Sequence, residues 1–448
     1  MHAWSPEQVA EGAGARLVLA PPADRRVAGP RQAVIDSRTA GPGDLFVGLV
    51  GEHADGGRFA AGALAAGAWG VLVTPEHAEA ARRAGTNDEQ AILAADDPLA
   101  ALQRLATAWR RALACPVIGV TGSVGKTTTK DLLAAMLTAG GVAVVANERN
   151  LNTEIGLPLT VLRAPAGTQA LVLEMGMRGV GQIAELAAIA EPDVGVITAL
   201  GPVHLEQLGT IEAIAAEKAA LVQALTAGAG TAVLPAGEAL LAPHRRDDLT
   251  TVTFGDAGSG ADVTPADLAG LGLDAESVHV RIDACAALAA ARAVGAQPRG
   301  PVALTLSEMR GQRLRLADDI TLIEDCYNAN PVSMRAALDD LAARATGPGR
   351  LVAVLGDMRE LGPDEVRHHT DIGEHARAAG VDLLVAVGPL SAAYAADHAV
   401  ADAAQAAALV PGLLRRGDTV LVKASRGVGL EAVTAALRAA GTAKLPAR

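Results

Sequence analysis

Three observations predict an α/β protein of three domains. Short apolar runs recur along the chain and alternate with Ala-rich helical stretches. From Pro116 onward each such run ends at a polar residue, the patterning of parallel strands whose carboxyl ends gather ligands. A length of 448 residues, 50% of them hydrophobic, is enough for about three cores at roughly 150 residues each. Only 2% of residues are aromatic, so Ala, Leu and Val must fill those cores.

The first hundred or so residues alternate short strands with helices, and Ala101–Ala114 reads as a helix leading to Cys115-Pro116, which sets a boundary near 112. The strands Val117–Val120, Ala170–Leu173 (ending at Glu174) and Val194–Ala199 (before His204) follow. A helix is predicted over Ile211–Leu225. The stretch Pro235–Leu273 carries Gly, Asp and Pro with weak periodicity, and an Ala-rich helix runs from Ala284 to Val294. A second boundary falls near 298. Beyond it the strands Thr321–Ile323, Leu351–Leu355, Leu383–Val387 and Thr419–Val422 alternate with helices, which predicts a doubly wound, Rossmann-like sheet. The expected domains are 1–112, 113–298 and 299–448, without internal repeats or a disordered tail.

The most informative local feature is a strand, Val117-Ile118-Gly119-Val120, running into Thr121-Gly122-Ser123-Val124-Gly125-Lys126-Thr127-Thr128. Glycines let backbone N–H groups approach phosphates, Lys126 can neutralise β and γ oxygens, and Thr127 offers a hydroxyl to Mg2+ at a helix N-terminus. The strict spacing, which asks for Gly at position 120, is not met because Val120 stands there; the strand–loop–helix context still marks a site for ATP. The central domain is therefore expected to be a P-loop ATPase-like parallel sheet, with Glu174 and His204 beside the loop.

No apolar run reaches the about 20 residues that span a bilayer. Glu7 and Glu11 sit where a signal peptide would be basic, and three cysteines, Cys115, Cys285 and Cys326, are too few for a disulfide framework, so a cytoplasmic protein is expected. A net charge of -12 argues against nucleic-acid binding and leaves anion sites local.

Further motifs resemble one family, the Mur ligases, almost end to end: Leu173-Glu174-Met175-Gly176-Met177-Arg178-Gly179, His204-Leu205-Glu206-Gln207-Leu208-Gly209-Thr210, and Asp325-Cys326-Tyr327-Asn328-Ala329-Asn330-Pro331 with Ser333-Met334. Val354-Leu355-Gly356-Asp357-Met358 with Glu360-Leu361-Gly362, Val422-Lys423-Ala424-Ser425-Arg426, and Asp36-Ser37-Arg38 with Gly43-Asp44-Leu45-Phe46 extend it. The resemblance implies a small N-terminal UDP-substrate domain. It also implies ATP-dependent joining of D-alanyl-D-alanine to a UDP-N-acetylmuramoyl-tripeptide through an acyl phosphate, with the chain acting as a monomer.

Residue by residue it implies catalytic roles for Lys126, Lys218, His204 and Arg313, with Arg313 reaching the γ-phosphate. Thr127, Glu174, His204 and Lys218 would hold Mg2+, Lys218 after carbamylation by CO2. Thr121 through Thr128, Arg313, Asp325, Asn328 and Asn330 would contact the nucleotide, and Asp325 the ribose. Ser37 and Arg38 would meet the UDP moiety, and Asn152 and Thr153 the transferred phosphate; Tyr327 would pack or position. Two departures stand out. Where the family shows His-Asn and a further Asn before an Ala-rich helix, this chain reads Ile282-Asp283-Ala284-Cys285-Ala286, leaving Asp283 as the substitute at the adenine. Leu234-Pro235-Ala236-Gly237-Glu238 stands where Asn-Ala-Asp is usual. The alternatives are a related amino-acid ligase, including the folylpolyglutamate type, and a non-catalytic P-loop module.

Overall fold

The computed structural model describes residues 1, 3–21, 28–51, 54–85, 89–148, 150–203, 205–273, 277–304, 307–344 and 349–443, the last three without side chains. His204 lies outside the described residues. Three sheets follow one another. The first contains β1 (Arg16–Leu19), β2 (Gln32–Val34), β3 (Asp44–Val47), β4 (Gly70–Val73) and β5 (Ala91–Ala94) in the order β1-β5-β4-β3-β2, parallel except for β1 against β5. The second contains β6 (Val117–Thr121), β7 (Val144–Ala146), β8 (Ala170–Glu174), β9 (Val194–Ile197), β10 (Thr231–Pro235) and β11 (Thr250–Phe254) in the order β11-β10-β9-β6-β8-β7, all parallel. The third contains β12 (Gln312–Arg315), β13 (Thr321–Asp325), β14 (Leu351–Gly356), β15 (Leu383–Val387), β16 (His398–Val400) and β17 (Thr419–Lys423) in the order β12-β13-β17-β14-β15-β16, with only β12 antiparallel.

Central strands are apolar without alternation because helices cover both faces of each sheet. In the second sheet Leu132, Leu133 and Met136 of helix Lys126–Ala139 pack with helix Val278–Ala293 on one face. Helices Gly156–Arg163, Gln182–Ala190 and Ile211–Gln223 cover the other with Val161, Leu186 and Leu221. The third sheet is doubly wound: helices Pro331–Ala343 and Glu365–Ala378 lie on one face, helices Ala403–Leu413 and Glu431–Ala443 on the other.

The helix before the phosphate loop spans Pro98–Leu113, starting earlier than the sequence predicts, because Asp97 accepts from the N–H groups of Leu99 (2.9 Å) and Ala100 (3.0 Å). Its Leu102, Leu105 and Trp109 join the cores of the first two sheets, and the Trp109 indole N–H donates to the Ala164 carbonyl at 2.9 Å. The Ala-rich helix likewise begins at Val278 rather than Ala284, following Ser277. The weakly periodic stretch resolves into the edge strand β11 and two short 3-10 turns, Ala239–His244 and Pro265–Leu268. The three cysteines are buried thiols. Among the described residues no helix is long and apolar enough to cross a membrane.

Candidate active site

At the carboxyl end of β6 the chain turns into helix Lys126–Ala139, and the two turn glycines have steric reasons to be there. Gly122 (φ 151°) is pressed so closely on Thr198 that a Cβ would sit 1.9 Å from its Oγ1. Gly125 (φ 86°) faces Asp283, whose Oδ1 would lie 2.3 Å from a Cβ. The loop therefore needs its glycines at 122 and 125, which is why Val120, inside β6, does not spoil it. The Lys126 ammonium donates to the Gly122 carbonyl at 2.7 Å, and its burial, ahead of the opposing pull of Glu174, lowers its pKa.

Beside the loop, Glu174 at the end of β8 is 2% exposed and fully engaged. Its Oε2 accepts from the Thr127 hydroxyl at 2.8 Å and its Oε1 from the Asn152 amide at 2.8 Å. Asn147 fixes the backbone of Glu174 from both sides, accepting from its N–H at 2.7 Å and donating to its carbonyl at 2.9 Å. A buried carboxylate paired with a hydroxyl at a helix N-terminus is a set of hard oxygen donors that fits a magnesium ion completed by water and phosphate. Among the described residues no group of three His, Cys, Asp or Glu side chains gathers as a metal cluster.

Lys218, on helix Ile211–Gln223, is 2% exposed, its ammonium 3.8 Å from the Met177 sulfur, and burial followed by the Lys126 charge drives its pKa well down. The neighbouring Glu217 turns away and accepts from the N–H groups of Gly181 (2.8 Å) and Ile183 (2.9 Å) at the start of helix Gln182–Ala190, so the two do not form the surface pair that an isolated helix would show.

The third sheet supplies the opposite wall. Asp325, at the end of β13, accepts from the buried Lys423 ammonium at 2.6 Å, and that ammonium also donates to the Asn328 carbonyl at 3.0 Å. Asn330 caps helix Pro331–Ala343, its Oδ1 accepting from the Ser333 N–H at 2.9 Å. Tyr327 carries the Arg310 guanidinium 4.0 Å over its ring, with Arg426 at 6.0 Å. Arg313, on the edge strand β12, is exposed at the rim.

A cleft of ≈ 720 Å³ lies between these walls and brings together Ser123 through Lys126, Thr128, Asn152, Thr153, Glu174, Lys218, Arg313, Asp325, Asn328 and Asn330. Thr121, Gly122 and Thr127 lie beneath its surface; the Thr121 hydroxyl donates to the Met175 carbonyl at 3.0 Å. The Thr153 hydroxyl accepts from the Gly156 N–H at 3.3 Å at the start of the next helix. Ser37 and Arg38 do not line this cleft: Arg38 is 86% exposed and binds Asp36 at 2.7 Å, which holds the Asp36 carboxyl at about 2. Sequence reasoning missed Arg310, Asn147 and His279. His279 lines the cleft with its Nε2 3.2 Å from the Ser277 hydroxyl, and burial lowers its pKa. Burial pushes Asp283 well above the usual carboxylate range.

Three family models match in series: the Mur ligase family catalytic domain over residues 32–113, the Mur ligase middle domain over 120–282, and the Mur ligase glutamate ligase domain over 309–426. A relative from Mycobacterium tuberculosis, named UDP-N-acetylmuramoyl-tripeptide–D-alanyl-D-alanine ligase, is 39% identical over 97% of this chain and 98% of its own. The chain belongs to the Mur ligase family. A Bacillus subtilis relative of this Mur ligase, with the same name, is 34% identical over 89% of this chain and 91% of its own. Among solved structures, MurF from Acinetobacter baumannii superposes with a TM-score of 0.82 at 27% identity, covering 97% of this chain and 99% of that one. MurF ligase from Thermotoga maritima in complex with ADP gives 0.78 at 27% identity, covering 93% and 99%.

Proposed function

We propose that this Mur ligase uses ATP to join D-alanyl-D-alanine to a UDP-N-acetylmuramoyl-tripeptide, giving the pentapeptide precursor of peptidoglycan in the cytoplasm. The observation that carries the reading is the interlock of the phosphate loop with Glu174 through Thr127, facing Asp325 and Lys423 across one cleft. Residues 1–112 would hold the UDP moiety through Ser37 and Arg38, 113–298 the triphosphate, and 299–448 the ribose and the incoming dipeptide.

A carboxylate resists attack by an amine, so the tripeptide's terminal carboxylate first takes the γ-phosphoryl group. Its oxygen bonds to phosphorus while the bond to the bridging oxygen breaks and ADP leaves with the electron pair. The dipeptide amine then bonds to the acyl carbon, phosphate departs, and the surplus amine proton passes to solvent. Lys126 and the loop N–H groups offset charge on the transferring group. Thr127 and Glu174, with His204 and Lys218, would hold magnesium, which when bound neutralises phosphate charge. Burial favours the neutral form of the Lys218 amine, the form that attacks CO2. The new N–C bond, with loss of one proton, makes a carbamate, and the Lys126 charge lowers that anion's energy. Asn152, Thr153 and Thr128 would position the phosphoryl group, with Arg313 approaching from the rim and Asp325 and Asn328 bordering the nucleoside.

Protein mixed with ATP, Mg2+, D-alanyl-D-alanine and UDP-muramoyl-tripeptides ending in lysine or diaminopimelate should give a pentapeptide mass with equal ADP and phosphate. Turnover of neither tripeptide would overturn the reading.

A further inference from the structure

The arginine that geometry puts deepest in the C-terminal wall is Arg310, not Arg313. Its guanidinium lies 4.0 Å over the Tyr327 ring, and among the described residues no carboxylate pairs with it. Arg426, the other cation beside that ring, is already committed to Glu431 at 3.3 Å and to the Met309 sulfur at 3.2 Å. Both arginines line the same cleft as Lys126, Arg310 only partly exposed and Arg313 exposed on the edge strand β12. The Arg310 charge is close enough to add to the lowering of the Lys126 pKa.

The segment that carries Arg310 is also tied to the phosphate loop's own helix. The Ser307 N–H donates to Asp131 Oδ2 at 2.8 Å, and the other Asp131 oxygen binds the buried Lys130 ammonium at 2.7 Å. Lys130 in turn donates to the Asn147 carbonyl at 2.9 Å, and Asn147 fixes the backbone of Glu174. A continuous chain of hydrogen bonds and one ion pair thus runs from the Glu174 backbone to a point three residues before Arg310.

We propose that Arg310, anchored through Asp131 and stacked on Tyr327, is the catalytic cation that the C-terminal domain presents to the transferring phosphoryl group opposite Lys126. This rests on the ligase reading above. Tyr327 holds the guanidinium without consuming its donors, which leaves the N–H fork for phosphate oxygens. Asp131 acts as a positioning residue, since it fixes where the segment leaves the central domain.

The test compares the full chain with Arg310→Ala, Arg310→Lys and Arg313→Ala. At saturating substrates Arg310→Ala should lower kcat about 10³-fold, more than Arg313→Ala, with ADP affinity changed by less than about twofold and partial recovery in Arg310→Lys. The wild-type chain should bind ADP with aluminium fluoride more tightly than ADP alone, and Arg310→Ala should lose that gain. A kcat within about threefold of wild type, or a raised KM for the dipeptide with kcat kept, would overturn the inference, the latter making Arg310 a clamp for the dipeptide carboxylate. If the wild type ligates nothing, the ligase reading fails by itself. The aluminium fluoride comparison needs no peptide and then decides the role of Arg310.

Discussion

The two walls of the cleft are built differently. On the central wall the chemical groups hold one another: Glu174 takes hydrogen bonds from Thr127 and Asn152, Asn147 clamps its backbone, and the loop glycines leave no room for a side chain. On the C-terminal wall the Asp325–Lys423 pair is fixed in the same way, but beside it stand long cations, Arg310, Arg426 and the rim Arg313, resting on Tyr327 or on an edge strand. Short side chains fixed by buried bonds make a preorganised surface, which lowers reorganisation during the reaction. Long arginine stems carry more rotamer freedom, so the cations of this wall are less preorganised.

The sharpest way to break the comparison is Lys126→Ala. It removes the loop's own cation from a surface that stays folded, and kcat should fall by about 10³-fold or more with an unchanged melting temperature. A comparable loss of thermal stability would mean that the loop is not preorganised independently of its lysine.

Next comes the support of the C-terminal wall. His369 is buried, its Nε2 accepts from the Met358 N–H at 2.9 Å and its Nδ1 lies 2.6 Å from the Glu365 carbonyl, so the ring is the neutral Nδ1–H tautomer and holds the loop that bears Arg359 and Glu360. Burial lowers its pKa below 6.5, so its contribution is complete above about pH 6.5 and is lost as pH falls through the folded value. His369→Ala should cost about 2 kcal/mol at pH 7.5 by denaturant unfolding, with the gap to wild type narrowing toward pH 5. A gap independent of pH would remove the histidine from that role.

A smaller effect is expected outside both walls. Arg38, exposed and paired with Asp36, should on truncation to Ala raise KM for the UDP substrate about tenfold with kcat kept, the mark of uniform binding; a fall in kcat would put it in the chemistry. Asp283 tests the central wall more finely. Burial raises its pKa and favours the neutral acid against Gly125; as pH rises through the folded value a carboxylate forms beside the phosphate loop, so KM for ATP should climb several-fold with rising pH. Asp283→Asn, which cannot ionise, should flatten that profile.

Local chemistry and strand context made the central wall legible in sequence. An apolar strand running into Gly-Lys-Thr located the loop, and strand-end polarity placed Glu174 beside it. Lys130 could not be read that way: one turn beyond the loop it has the spacing of an exposed helix lysine, yet it is buried because Asp131 and the Asn147 carbonyl meet its ammonium. Arg310 and Arg313 stand three residues apart around Gly311-Gln312, and only the structure shows that Arg310 is part-buried on Tyr327 while Arg313 is exposed on β12. Asn330, read as a nucleotide contact, also caps a helix with its Oδ1, since an Asn before a Pro-initiated helix satisfies the first-turn N–H groups. Four of the C-terminal sheet's strands, β13, β14, β15 and β17, were legible as apolar runs, whereas β12, with alternating Arg and apolar residues, and the three-residue β16 carried no such signature.

The most direct test of the account follows oxygen. A UDP-muramoyl-tripeptide labelled with ¹⁸O in its terminal carboxylate should, on ligation, deliver one labelled oxygen to each phosphate released. Ligation that leaves the phosphate unlabelled would contradict activation as an acyl phosphate and with it the assigned role of the phosphate-loop wall.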